Sequence, residues 1–362
     1  MRVLMLPLFR FPTGHTKAAE AIIDAIEKVD STVQIDTVDL LSYTNATMEK
    51  GIGTFYIKWI HSSPKSYQLM YEKIVNNKKP KTTKETPPFF AKFFLRKMKQ
   101  LVAQYNPDLI ICTHAFPSSI LGMLKRDNAI KNVPVVNAYT DFFMNDVWAK
   151  NTSEYHLAPH QEAKQQLIQT FGREASRIFV TGVPIHSGIT TTPATPQSHH
   201  VLLAGGNIGF MDVQALIDLT ALLPDTTFTV LCGSNKKLYQ KIKQANRASL
   251  IPQGYITSRS EMNTLYESTS AMVTKPGGVT MTEVMRKRIP IFIDHFLPGP
   301  EEENFHYLNA RGMVRKLNEH KLQELTDPTI IAQMSEAIQQ YEEELDYSLE
   351  EAIQAIFADL AQ

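Results

Sequence analysis

The chain has 362 residues, of which 43% are hydrophobic and 20% are charged. This length is enough for two domains with separate cores, and the composition is typical of soluble globular proteins and excludes a disordered chain. Because 37 basic residues balance 37 acidic ones, the net charge indicates no class of partner.

Cysteine usage and the terminal sequence bear on the compartment. Cys112 and Cys232 both lie in apolar runs, which predicts buried thiols of a reduced cytoplasmic protein and no disulfide or metal site. The first residues lack the small-residue cleavage site of a signal peptide, and no apolar run reaches the roughly 18 residues of a membrane span. We therefore expect any work at a membrane to be done from its surface.

Strand-like runs alternate with helical patterns from the start of the chain, which is typical of parallel sheets in α/β proteins. Between the first two strands, residues 16–29 place their apolar side chains on one face of a predicted helix. In the first half, strands are predicted at residues 3–9, 33–40, 108–113, 133–139, 156–158 and 178–181.

Two candidate catalytic residues follow strands of this first series. His15 lies in the loop after the first strand, and a histidine whose pKa is near neutral suits a general base. The ordinary alternative for such a residue is a solvent-exposed loop histidine. Asp141 follows another strand and is predicted to orient an acceptor or to support the loop.

The segment 50–100 is strongly basic. Twelve basic residues occur between Lys50 and Lys99, only Glu72 and Glu85 oppose them, and nine aromatic residues are interleaved. This pattern predicts binding to an anionic membrane surface, with residues 89–95 as an inserted wedge. The alternative places the aromatic rings in the core and the lysines on a solvated face. Nucleic acid is not an expected partner, because no nucleic-acid fold signature accompanies the patch.

A Thr/Pro-rich stretch at 188–200 has no apolar periodicity and is predicted to be a linker. A second α/β series follows, so we predict two Rossmann-like domains facing a cleft, at 1–190 and 197–330. Helices at 331–362 follow, with a return to the first domain as one option. The second series has predicted strands at residues 201–204, 228–232, 249–254, 271–274 and 289–293.

Two glycine-rich turns in the second series suit a phosphate. Glycines let backbone N–H groups approach an anion, and the start of a following helix favours negative charge. The first turn contains Gly205, Gly206 and Gly209, and an ordinary tight turn is its alternative. The second turn precedes a helix predicted to begin near Thr280 and contains Lys275, Gly277, Gly278, Val279 and Thr280.

Carboxylates accompany the second turn. Glu283 lies one turn into the predicted helix and could accept bonds from both ribose hydroxyls, although a carboxylate near a helix start is also favourable by itself. Further on, Glu301, Glu302, Glu303 and Asn304 follow the next strand. Ligands bind at this edge of open parallel sheets, and carboxylates and amides suit sugar hydroxyls. The alternative is a solvated acidic helix start.

The ordered motifs GGNIG, CGSNKKL, GYI, TKPGGVTMTE and PGPEEEN resemble the carboxyl half of processive diacylglycerol glucosyltransferases. Plant monogalactosyldiacylglycerol synthase belongs to the same family, as does the peptidoglycan N-acetylglucosaminyltransferase. The resemblance extends to VTGVPI at 180–185, to YTDF at 139–142 and to TGH at 13–15, so it covers most of the chain.

This resemblance implies a GT-B fold with the donor on the second domain and the acceptor on the first. It assigns the diphosphate to residues 277–279, the ribose to Glu283 and general-base catalysis to His15. The stretch around Tyr255 and Ile256 would line the uracil, with Ser234 nearby, while Glu302, Glu303 and Asn304 would contact the sugar. The Glu-Glu-Asn form resembles the glucosyl members more than the galactosyl ones.

The expected reaction is transfer of glucose from UDP-glucose to diacylglycerol with inversion, at the cytoplasmic face of the cell membrane. No two aspartates stand two positions apart, so the Asp-x-Asp element of metal-dependent transferases is missing and neither a metal nor a cofactor is expected. The alternatives are transfer to another lipid, such as a polyprenyl-linked intermediate, nucleotide-sugar epimerisation and non-catalytic sensing of a nucleotide sugar.

Overall fold

Two six-stranded parallel sheets organise the described part of the chain. The structure is a computed structural model, and it describes residues 1–8, 13–44, 89–130, 133–191, 199–205, 213–318 and 321–362. The predicted Gly206 and Gly209, most of the basic segment and residues 192–198 of the predicted linker lie outside these ranges.

The chain divides into two compact units. Unit 1 comprises Met1–His186, Leu297–Gly299 and Glu344–Gln362, and unit 2 comprises Ser187–Phe296 and Pro300–Glu343. The last helix of the chain is therefore part of unit 1.

The sheet of unit 1 has the order β2-β1-β3-β4-β5-β6, with all strands parallel. Its strands are β1 (Arg2–Leu6), β2 (Gln34–Thr37), β3 (Leu109–Cys112), β4 (Val135–Ala138), β5 (Tyr155–Ala158) and β6 (Ile178–Val180). Its helices are α1 (Gly14–Val29), α2 (Leu40–Thr44), α3 (Phe89–Tyr105), α4 (Ala115–Arg126), α5 (Gln161–Phe171) and, from the end of the chain, α12 (Leu349–Leu360).

Both faces of this sheet are buried except at the edge strand β2, which explains the continuous apolar runs of the other strands. Leu4 and Leu6 of β1 point into a core that contains Phe94 of α3. The alternating residues of β1 point to the opposite face, where Ile22 of α1 and Ile353 of α12 pack. The terminal helix thus completes the core of unit 1.

The sheet of unit 2 has the order β12-β11-β10-β7-β8-β9, again with all strands parallel. Its strands are β7 (His200–Ala204), β8 (Thr227–Leu231), β9 (Leu250–Gln253), β10 (Ala271–Thr274), β11 (Ile291–Ile293) and β12 (Val314–Lys316). Its helices are α6 (Val213–Leu222), α7 (Lys236–Ala245), α8 (Arg259–Glu267), α9 (Gly278–Met285), α10 (Pro300–Ala310) and α11 (Pro328–Glu343).

This strand order is that of a doubly wound Rossmann sheet. The chain starts in the middle with β7, proceeds outwards to β9, and returns to place β10 on the other side of β7. Sequence patterns identify eleven of the strands described here and miss β12, because two of its three residues are charged and it lies at the sheet edge.

Candidate active site

The residues predicted to bind the donor lie at one edge of the unit 2 sheet. Gly205 follows β7, Ser234 follows β8, the Tyr255–Ile256 pair follows β9, and the 275–280 turn follows β10. Since the strands are parallel, their carboxyl ends share an edge. Gly205 and the 275–280 turn flank the point between β7 and β10 at which the strand order reverses, where ligands bind in folds of this type.

Helix α9 begins two residues earlier than predicted. Its first residue is Gly278 and not Thr280, and Gly277 is an N-cap without a side chain that could accept a hydrogen bond. Residues 278–280 therefore form the first turn, whose N–H groups have no carbonyl partner within the helix and carry the positive end of its dipole. This correction moves all three predicted donors into the part of a helix that binds anions.

Gly277 is required neither by its backbone nor by its packing. Its φ of −80° is accessible to any residue, and a Cβ added there would meet no described atom within 4 Å. Because glycine has no side chain, the main chain at this position is exposed to the open space beside it. A glycine in this setting allows a ligand to approach the main chain closely.

Glu283 is a buried carboxylate and not a solvated one. Its side chain is in the second turn of α9 and only 4% of the residue is exposed. Tyr266 of α8 donates its hydroxyl to Glu283 Oε2 at 3.1 Å, and Arg259 Nη1 lies 4.0 Å from Oε1. Burial and the neighbouring carboxylate raise the pKa of Tyr266 well above its ordinary value, so Tyr266 is a permanent donor to Glu283.

The acidic segment after β11 divides into exposed and buried side chains. Glu302 is half-buried and Glu303 is exposed, both in the first turn of α10. Asn304 is fully buried and its Nδ2 donates to the main-chain oxygen of Pro276 at 3.0 Å. Asn304 therefore braces the 275–280 turn, while sugar contacts of the three residues remain predictions.

Lys275 adds positive charge beside this turn. The carboxyl of Asp294, which follows β11, has a lowered pKa, chiefly because His295 donates a hydrogen bond to it and also because Lys275 is near. The Lys275 ammonium thus lies near Asp294, at the carboxyl end of β11; its stabilisation of a leaving diphosphate remains a prediction.

In unit 1, His15 joins the carboxyl ends of three strands. It is the second residue of α1, which begins with a capping box formed by Thr13 and Thr16. The His15 ring atom Nδ1 lies 2.9 Å from the main-chain oxygen of Thr113 and 2.9 Å from the hydroxyl of Thr140. These residues follow β3 and β4, and β1 and β3 flank the point at which the strand order of unit 1 reverses.

The contact with Thr113 determines the tautomer of His15. A carbonyl oxygen only accepts, so Nδ1 carries the hydrogen and Nε2 keeps its lone pair. Burial lowers the pKa of His15 below 6.5, and this lowering prevails over the opposing effects of the Asp141 carboxylate and the Thr113 carbonyl. A neutral imidazole with a basic Nε2 is the form that a general base needs.

Sequence patterns do not identify several residues that the structure brings to these sites. Thr113, His114 and Thr140 contact His15 from other strand ends, and Tyr266 and Arg259 reach Glu283 from another helix. The position of His114 directly after a predicted strand is a signal that could have found it. Tyr266 lies in a polar helical segment without any such signal.

The predicted membrane wedge needs a correction. Phe94 is fully buried in the core of unit 1, where its ring packs edge-to-face on Phe116 at 5.1 Å, so it does not belong to an inserted surface. Helical periodicity turns Phe94 and Met98 inwards, and Lys92, Arg96 and Phe93 outwards. Within the described ranges, no helix is long and apolar enough to cross a membrane.

Comparisons with known proteins identify the family and the fold of this chain. The monogalactosyldiacylglycerol (MGDG) synthase family matches residues 15–185, which include His15, Thr113 and Asp141. The chain is also 32% identical over 325 residues to an uncharacterized glycosyltransferase, YkoN, of Bacillus subtilis (strain 168), covering 89% of this chain and 85% of the relative. This protein belongs to the MGDG synthase family of glycosyltransferases.

A second relative, from Bacillus pumilus (strain SAFR-032), is named processive diacylglycerol beta-glucosyltransferase. It is 27% identical over 329 residues, covering 86% of this chain and 82% of the relative. Among solved structures, MurG of Acinetobacter baumannii superposes with a TM-score of 0.59 at 13% identity over 99% of both chains. The UDP-GlcNAc 2-epimerase of Neisseria meningitidis bound to UDP-GlcNAc gives 0.56 at 14% identity over 100% of both chains. These likenesses confirm the predicted α/β GT-B fold.

Proposed function

We propose that this protein is an inverting glycosyltransferase that moves glucose from UDP-glucose to the 3-hydroxyl of diacylglycerol. It works as a peripheral protein at the cytoplasmic face of the cell membrane, and it can add further sugars to its own product. Unit 2 holds the nucleotide sugar and unit 1 supplies the base.

The observation that carries the proposal is the position of the 275–280 turn. It follows the strand beside the reversal point of a Rossmann sheet, it opens α9 with a bare glycine, and the buried Glu283 lies one further turn along the same helix. A diphosphate on the first turn would place the adjoining ribose towards a carboxylate. The UDP-GlcNAc in the Neisseria epimerase structure shows that a protein of this fold can bind a nucleotide sugar.

The proposed chemistry uses His15 Nε2. The acceptor hydroxyl gives its proton to Nε2 while its oxygen attacks the anomeric carbon. The bond from that carbon to the diphosphate oxygen breaks, and UDP leaves with the electron pair. Backbone N–H groups of 278–280 and the Lys275 ammonium stabilise the leaving charge.

The stereochemistry and the acceptor come from the relatives. The Bacillus pumilus protein is named a beta-glucosyltransferase acting on diacylglycerol, and a β-linked product from an α-linked UDP-glucose requires inversion. The exposed face of α3 supports work at a membrane, because Lys92, Arg96 and Lys99 lie on it beside the exposed Phe93.

One assay separates the candidate reactions. Purified protein is incubated with UDP-glucose, UDP-galactose or UDP-N-acetylglucosamine, with and without anionic vesicles that contain diacylglycerol, and both UDP release and glycolipid are measured. The proposal requires glycolipid from UDP-glucose only when diacylglycerol is present, at a rate that EDTA leaves unchanged. Sugar isomerisation without lipid would establish an epimerase instead, and a requirement for magnesium or manganese would refute the metal-independent mechanism.

A further inference from the structure

His15 and His114 form a packed pair of imidazoles at the carboxyl ends of β1 and β3. Their ring centroids are 4.5 Å apart and the ring planes are inclined by 78°, an edge-to-face arrangement. Both residues are half-buried, and their rings are in contact.

The two rings are held in opposite tautomers. His15 donates its Nδ1 hydrogen to the oxygen of Thr113, whereas His114 accepts at Nδ1 from the main-chain N–H of Phe116 at 2.9 Å and so caps α4. Protonation of His114 at Nδ1 would break this cap. It would also place a cation at the positive end of the helix dipole.

His114 is therefore kept neutral. Its burial, and secondarily the nearby His15, lower its pKa well below the ordinary 6.5. Two imidazolium rings at 4.5 Å would repel each other in a poorly hydrated place. Only one ring of the pair can carry an added proton, and the helix cap makes that ring His15.

We propose that His114 is a positioning residue for the catalytic base: its neutral ring fixes the His15 imidazole and shields it from water, so that His15 is the one member of the pair that takes up a proton. This inference rests on the proposed function, since it concerns the residue that would remove the proton of the acceptor hydroxyl. His114 acts through His15.

The other groups around His15 define what a change at position 114 can do. Thr113 and Thr140 are neutral hydrogen-bond partners from the ends of β3 and β4. Asp141 is the charged group acting on the ring, and it raises the pKa of His15, while burial lowers it. Removing the His114 ring would admit water without removing Asp141, so the pKa of His15 should rise towards 6.5.

Two substitutions separate the ring from the cap. His114→Asn keeps a side-chain acceptor for the Phe116 N–H, since asparagine is a favoured N-cap residue, but removes the ring. His114→Phe keeps a ring of similar bulk and removes the acceptor. A purely structural role of His114 in capping α4 predicts that the asparagine variant behaves like the wild type.

The test is an NMR titration of the histidine side chains in the full-length protein, with His15 assigned by its absence in His15→Gln. We expect the pKa of His15 to rise in His114→Asn and to stay near its wild-type value in His114→Phe, whereas the melting temperature falls mainly in His114→Phe. An unchanged His15 pKa in His114→Asn would overturn the proposal, and this variant decides the matter even if His114→Phe does not fold.

The titration needs neither donor nor acceptor, so it separates this inference from the proposed function. With a working assay, the acid limb of kcat/KM should move to higher pH in His114→Asn, in step with the NMR pKa. A shifted pKa together with no glycosyl transfer from any UDP-sugar would leave the histidine pair standing and reject the proposed reaction. Normal glycosyl transfer together with an unchanged His15 pKa in His114→Asn would support the proposed reaction and reject the role of His114.

Discussion

The Nδ1 atom of His15 lies 2.9 Å from the main-chain oxygen of Thr113, a residue 98 positions away in the sequence. This single contact links the start of α1 to the end of β3 and leaves Nε2 as the basic atom of the ring. The predictions for unit 1 depend on it, and those for unit 2 depend on the 275–280 turn.

Replacing His15 with glutamine should lower kcat by about 10²–10⁴-fold, the usual contribution of a general base. Glutamine can still donate to the Thr113 oxygen but cannot take up a proton. The kcat of glycolipid formation under saturating UDP-glucose measures the effect. His199→Asn is a matched control, because His199 is exposed at the opposite, amino-terminal edge of β7. Equal loss in both variants would argue against a catalytic role.

Replacing Asp141 with asparagine should move the acid limb of the kcat/KM profile to lower pH. The Asp141 carboxylate favours the protonated imidazole and so raises the pKa of His15. Without this charge the pKa falls further, and the neutral base persists at lower pH. Asp146→Asn, at an exposed carboxylate in the same loop, should leave the profile in place. A shift of the limb to higher pH in Asp141→Asn would contradict this account.

Gly277→Ala should weaken UDP binding by about tenfold or more, because its methyl group would occupy the open space beside the first turn of α9. The stability should change by no more than about 0.5 kcal/mol, since neither packing nor backbone strain opposes alanine there. Calorimetry with UDP and a thermal melt measure the two quantities.

Gly122→Ala provides the opposite case to Gly277→Ala. A Cβ at Gly122 would lie 2.5 Å from Cβ of Ala149 and 2.8 Å from Oγ1 of Thr152. This variant should lose stability by about 1–3 kcal/mol through overpacking, with no direct effect on the nucleotide. Unchanged UDP affinity in a folded Gly277→Ala protein would show that the diphosphate does not bind at this turn.

Tyr266→Phe should weaken UDP binding and lower the melting temperature. It removes the hydrogen bond to Glu283 Oε2 and leaves a buried carboxylate oxygen without this donor, at a cost of about 1–3 kcal/mol. Tyr239→Phe is a matched control at a half-buried tyrosine of α7. Titration calorimetry with UDP compares the variants, and a Tyr266→Phe protein with wild-type affinity would show that Glu283 needs no support from Tyr266.

Neutralising Lys92, Arg96 and Lys99 together with glutamine should weaken binding to anionic vesicles by about 100-fold. Each exposed basic residue near such a surface contributes about 1 kcal/mol, and their spacing places all three on one face of α3. Flotation with phosphatidylglycerol vesicles measures the fraction of each protein that is bound. The control neutralises three exposed lysines of α7, namely Lys236, Lys237 and Lys241. Equal vesicle binding by the two triple variants would exclude α3 as the membrane surface.

Much of the fold and of the candidate donor site could be predicted because their signals are local. Strands that are buried on both faces have short apolar sequences, which can be recognised locally. The glycines of the 275–280 turn lie between one such apolar sequence and a helix. The sequence pattern places the start of α9 two residues too late, because glycines such as Gly277 and Gly278 have a low propensity for a helix interior. The sequence pattern assigns Phe94 to the membrane surface, although it is buried, because an apolar side chain suits a lipid surface and a protein core equally well.

Local patterns, in short periods of two and of about four residues, determined the α/β class, the strands of both series and the glycine turn that suits a diphosphate. The tertiary structure decided which strand ends become neighbours, because the strand order places β10 beside β7 and β3 beside β1. It also brought the Tyr266 hydroxyl to Glu283 and the His114 ring to His15. Such contacts depend on packing between distant segments, which no local periodicity encodes.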